Sequence, residues 1–139
     1  MAVPRSLAEV GAATTDTGFV DAMKEFIDVV IAHARSQDYR LEGPLPLPQG
    51  AIDEPPRHRL NRTTHAYLCA MAEHLAGLAG IVPPAWSLDP EGFLDHPVFQ
   101  GGPRSRDSML KDTPPAFRRR LVFFGPVLLK LELLRKRET

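Results

Sequence analysis

The chain has 139 residues, 43% of them hydrophobic and 24% charged, and its 17 basic side chains balance 17 acidic ones. These values describe one globular domain and exclude a chain disordered throughout, a collagen-like fibre and a disulfide scaffold. At zero net charge no whole-molecule field draws nucleic acid or a membrane surface.

In chain order, residues 1–14 are small and weakly patterned and read as a loose arm. Asp16 and Thr17 then offer N-cap oxygens. Phe19, Met23, Phe26, Ile27, Val30 and Ile31 recur at three- and four-residue steps. That is the helical period, and it predicts a helix from about Gly18 to about Ser36 with one apolar face. Asp21 and Glu25 fall in its first turns, where the helix dipole favours negative charge.

Prolines 44, 46 and 48 then alternate with other residues, and Pro55-Pro56 follows Asp53-Glu54. Proline removes an amide donor, fixes φ and pushes the preceding residue to extended geometry. Residues 41–57 therefore read as a polyproline-like strap. Either its leucines pack it over the core or it is mobile; Asp53 and Glu54 within it read as solvated. The fourteen prolines of the chain are about twice the usual share of roughly 5%, so any helices are short or well separated.

A second helix is predicted from Arg62 to Leu78, with Asn61, Thr63 and Thr64 as possible caps. Leu68, Met71, Leu75 and Leu78 form its core stripe, flanked by Ala70, Ala72, Ala76 and Ala79, which admit close approach of a neighbour. Gly80 and Pro83-Pro84 end it. The remainder breaks into short pieces. Asp89-Pro90-Glu91 starts a helix that ends near Asp95, ahead of Pro97. Ser105 caps another through Asp107 to Lys111, and Thr113 a third that carries Ala116, Phe117 and Arg118-Arg119-Arg120. Leu121 to Phe124 is a strand or the extended end of a helix; four residues leave both open. A last helix begins at Pro126, with Val127, Leu128, Leu131 and Leu134 on one face. No run of alternating β-branched residues points to a sheet. The expected fold is all-α: two longer helices plus several short ones in a single helical domain over 1–139, with the proline-rich connecting strap between the long pair.

The neutral total hides an asymmetry. Residues 104–139 hold ten Lys and Arg against four Asp and Glu, and residues 1–103 carry the opposite excess. Either this basic segment meets phosphate or an acidic partner, or it pairs with the acidic remainder. Arg118, Arg119 and Arg120 are consecutive and point in different directions, so at least one is expected to reach inward to a carboxylate or carbonyl. His65, Cys69 and Glu73, spaced by four on the second helix, are metal-ligand types on one face. No second tight pair completes a tetrahedral set, and a mid-helix cysteine beside alanines reads as packing, not as a ligand or nucleophile. Trp86, Phe93, His96 and Phe99 form an aromatic group at short spacing: a hot-spot surface for a partner, or a plug that seals the short helices onto the second one. The sequence assigns no catalytic residue, no metal ligand and no cofactor.

The pieces Pro84-Ala85-Trp86, Phe93-Leu94-Asp95-His96-Pro97-Val98-Phe99 and Thr113-Pro114-Pro115-Ala116-Phe117-Arg118-Arg119-Arg120 resemble a pattern in small uncharacterised bacterial helical proteins. These are common in actinobacteria, and some are encoded beside nucleotidyltransferase-like or toxin–antitoxin-like genes. The resemblance extends over about residues 64–124, and Phe123-Phe124-Gly125-Pro126 departs from it. It carries no catalytic residues over. It implies a non-catalytic protein-interaction or regulatory subunit of a bacterial operon, antitoxin-like, with Trp86, Phe93, Phe99, Arg118, Arg119 and Arg120 as candidate partner-binding residues. The rivals are a nucleic-acid-associated protein that uses residues 104–139, and a small enzyme whose site the sequence does not connect. The single cysteine, the lack of a signal-peptide pattern and the lack of a long apolar run lead to the expectation of a cytoplasmic protein with a protein partner and no membrane span.

Overall fold

The computed structural model describes residues 4–12, 16–39, 43–56, 61–100 and 113–124. Two long helices carry most of the core. Helix α1 is a single turn, Leu7–Val10, capped by the Ser6 hydroxyl, which accepts from the Glu9 amide at 3.2 Å. Helix α2 spans Asp16–Ser36. Its periodic residues Phe19, Met23, Phe26, Ile27, Val30 and Ile31 are all buried, joined by Ala34 one turn later. Helix α3 spans Arg62–Ala79, capped by the Asn61 side chain at the Thr64 amide and ended by Gly80 in the left-handed region at φ +70°. Gly80 is where only a residue without a Cβ turns the chain cheaply.

Positions 66–72 of α3 are buried without a break. At 100° per residue, seven consecutive positions go all the way round a helix. Helix α3 is therefore the central element, covered on every side along that stretch. Phe19 of α2 meets Tyr67 of α3 with ring centroids 6.1 Å apart, and Met71 and Leu75 lie in the same cluster. Leu78 is half-buried at its edge.

The strap packs on this core. Leu45 is buried and its amide donates to the Leu78 carbonyl at 2.8 Å. Ala51 and Ile52 are buried as well, while Asp53 and Glu54 are exposed. The strap also holds α1, because the Leu7 amide donates to the Ala51 carbonyl. The close approach is visible at Gly11, where a Cβ would stand 2.7 Å from the Pro56 ring.

Residues 85–100 and 113–124 form a second layer over α3. It contains two 3₁₀ turns, Ala85–Leu88 and Pro90–Gly92, then strand β1 (Val98–Gln100), helix α4 (Pro115–Arg118) and strand β2 (Val122–Phe124). The strands pair in parallel, Val98 opposite Val122 and Phe99 opposite Phe123. The two phenyl rings stack at 4.8 Å with an interplanar angle of 14°. Phe117 and Val122 anchor the layer in the common core.

Four expectations are corrected. Residues 1–14 are not a loose arm throughout: Leu7, Ala8 and Val10 are buried on the strap. The sequence had no periodicity to show this, because one turn of helix is too short to display any. The fold is mostly helical but not purely α, since β1 and β2 form a small sheet. Three-residue strands are equally below the length at which alternation is readable. The helix begun by Asp89-Pro90-Glu91 ends at Gly92, not near Asp95; Asp89 does cap it, accepting from the Glu91 amide. Thr113 is not the cap of α4. Pro114 holds that position without a side-chain bond, and the Thr113 hydroxyl is buried with no partner among the described residues. The helices expected at Asp107–Lys111 and after Pro126 lie outside the described residues.

Candidate functional site

His65, Cys69 and Glu73 succeed one another at intervals of four along α3, so all three present to the second layer, which supplies a partner to each. Helix spacing alone fixes that row.

At its start, His65 Nε2 lies 3.0 Å from Asp89 Oδ2 and 3.6 Å from Cys69 Sγ. A catalytic triad uses the two ring nitrogens for two jobs, one toward the nucleophile and one toward the carboxylate. Here Nε2 meets both groups, so the ring does not bridge thiol and carboxylate through its two nitrogens. The thiol is a poor nucleophile besides. Burial pushes the Cys69 thiol up to about 11, and the nearby Arg120 charge offsets this only in part. The thiolate, not the thiol, is the reactive form. Asp89, by contrast, is held below the usual aspartate value, first by the Glu91 amide and then by His65.

At the other end of the row, Glu73 is shared by two arginines. Arg119 is exposed and pairs with Glu73 Oε2; Arg120 has no exposed surface and pairs with Oε1 at 2.5 Å. Arg120 Nη1 also donates to the Ala116 carbonyl at 2.8 Å, and Nη2 to the Ser87 carbonyl at 2.7 Å. The Phe93 ring lies under its guanidinium, 4.4 Å from Cζ to centroid. One side chain thus ties α3, α4, the first 3₁₀ turn and Phe93 together. Its Nε is buried with no hydrogen-bond partner among the described residues. Burial lowers the pKa of Arg120, yet a guanidinium remains charged at neutral pH. Arg62 adds a rim contact, donating to the Glu91 and Phe93 carbonyls and pairing with Asp95.

The six candidate residues therefore separate. Arg120 and Phe93 form one interior contact. Trp86 is half-buried, with its indole N–H donating to the Ile52 carbonyl at 3.1 Å, the arrangement of a plug between layer and strap. Phe99 stacks within the sheet. Arg119 faces out but pairs with Glu73, and Arg118 is exposed. The inward arginine was expected; its carboxylate partner Glu73 was read as a metal-ligand type instead. Among the described residues no three His, Cys, Asp or Glu side chains converge so as to hold a metal ion. The sequence also gave no sign of the apolar surface on the connection out of α3. Ile81 and Leu88 are about half exposed there, and Val82 is 87% exposed. Among the described residues no helix is long and apolar enough to cross a membrane.

No protein-family model, no curated protein and no solved structure matches this chain.

Proposed function

We propose that the protein is a non-catalytic interaction or regulatory subunit, antitoxin-like and cytoplasmic, that binds a protein partner in a bacterial operon. The observation that carries this reading is the exposed apolar run Ile81, Val82 and Leu88, on a segment whose inner side is fixed by Trp86 and by the Ser87 carbonyl on Arg120. Exposed apolar side chains on a rigid support suit a protein partner. The chemistry-bearing groups beneath point the same way: Cys69 is a neutral thiol and Glu73 is neutralised by two arginines. The rival nucleic-acid reading uses the basic segment 104–139; of its basic side chains, Arg118, Arg119 and Arg120 fall among the described residues, and two of these are engaged with Glu73.

The test is affinity capture from the native host with the wild type, with a Val82→Asp/Leu88→Asp variant and with Arg118→Glu. A protein retained by the wild type and by Arg118→Glu, and lost with the double variant at an unchanged thermal midpoint, is the expected result. Retention by all three proteins, or salt-dependent capture of nucleic acid lost with Arg118→Glu, overturns the reading.

A further inference from the structure

The second layer is fastened to α3 by an ion pair next to a strained turn. Directly after Arg120, Leu121 has φ +62°, a left-handed conformation that a side chain with a Cβ rarely adopts. Such strain persists only where surrounding contacts over-determine it. Those contacts are the ones around Arg120. Its side chain is fixed to Glu73, Ala116 and Ser87. Its carbonyl accepts from the Leu94 amide, and the Leu121 carbonyl accepts from the Val98 amide at 2.8 Å. The turn that carries the strain is thus the one that joins α4 to β2 and brings β1 alongside. Beneath the layer lies Cys69, with Gly92 pressed against it; a Cβ on Gly92 would stand 2.9 Å from the sulfur.

We propose that the Glu73–Arg120 pair is a latch that closes the second layer over α3 and holds Leu121 in its strained conformation, so that the layer opens as a unit while α1, α2 and α3 stay folded. Two features favour opening here before the core gives way. The rim contacts are weak, since Arg62, Asp95, His65 and Asp89 are all partly solvated, and exposed ion pairs contribute little. The released strain at Leu121 also works for the open state. Phe117 and Val122 tie the layer to the common core, so its opening exposes them as well. The proposal stands independently of the interaction reading, because it needs no partner.

The single cysteine and the single tryptophan make it measurable in the intact chain. Cys69 is covered by the layer and Trp86 belongs to it. Labelling of Cys69 by a disulfide reagent is followed under native conditions at rising urea, beside global unfolding read from helical circular dichroism. The expected wild-type result is labelling through an opening with a smaller urea slope than global unfolding, because less surface is exposed. Glu73→Gln is expected to raise the labelling rate by about tenfold or more, since it strands a buried charge. Leu121→Gly is expected to slow labelling by about threefold, since it relieves the turn in the closed state. A wild-type slope equal to that of global unfolding overturns the proposal, and so does faster labelling in Leu121→Gly. Both readouts decide the matter even where Glu73→Gln does not fold.

Discussion

The two faces of α3 are held by different forces. Toward α2 the contact is apolar: Phe26, Ile27 and Val30 face a cluster that includes Met71 and Leu75, all without exposed surface. Toward the second layer the contact is partly apolar, through Phe117 and Val122, but its fixed points are charges and carbonyls. The apolar side tolerates any neighbour of similar volume, whereas the polar side demands particular groups at particular places. A buried guanidinium is costly unless its donors are met, so the layer has essentially one way to sit. The contrast shows how a single helix can belong to a permissive core and to a specified joint at once.

The strongest blow to the apolar side is Phe26→Ala. It empties a site with no exposed surface and is expected to cost about 3–5 kcal/mol, the range for buried aromatic truncations. Urea unfolding should show the loss in the helical signal and in Trp86 fluorescence together. A change confined to the fluorescence would place Phe26 outside the common core.

The polar side breaks first by overpacking. Gly92→Ala puts a methyl 2.9 Å from Cys69 Sγ and 3.2 Å from its Cβ, where an α3 side chain cannot yield far. The expected cost is about 1–3 kcal/mol. Adding Cys69→Ala should return part of it, since the smaller side chain makes room. Thermal midpoints of the two single variants and the double decide it: strict additivity would show that the two positions do not press on each other.

Much of the first region was legible in the sequence and little of the second. The spacing from Phe19 to Ile31 repeats often enough to declare a helix and its buried face. Asn61 and Gly80 mark the ends of α3 because cap chemistry is local. The second layer is built from pieces of three or four residues, too short for any period to show. Its organising residue is also non-local. The pairing of Arg120 with Glu73, and with the Ser87 carbonyl, joins positions far apart in the chain. The row His65, Cys69, Glu73 was visible as one face of a helix, but which element would cover it was not. Burial of the consecutive positions 66–72 is likewise a property of two neighbours, and it turned an apparent stripe into a fully covered helix.

A double-mutant cycle sharpens the contrast. Glu73→Leu alone leaves a buried cation short of its carboxylate, and Arg120→Met alone removes the donors at Ser87 and Ala116. An apolar pair of similar volume can replace a buried ion pair at little net cost. The double variant should therefore be destabilised less than the sum of the singles, by a coupling of about 0.5–3 kcal/mol. Zero coupling from chemical unfolding would mean that Arg120 acts through its carbonyl partners and not through Glu73.

The smallest expected effect belongs to Asp89, at the solvated end of the joint. Its carboxylate accepts from the Glu91 amide and meets His65, and both contacts favour the charged form, so its folded pKa lies below the ordinary aspartate value. A depressed folded pKa means that the unfolded chain takes up the proton first as acid is added. The stabilisation is therefore fully present above the unfolded value of about 3.9, and it is lost as pH falls through the lower folded value. Asp89→Asn keeps an oxygen for the Glu91 amide but removes the charge. The variant should melt below the wild type at neutral pH, and the gap should close as pH drops below about 4. Because the side chain is partly exposed, added salt should shrink the neutral-pH gap as well. A gap of constant size from neutral pH down to acid would show that Asp89 serves the joint by its shape as a cap and not by its charge.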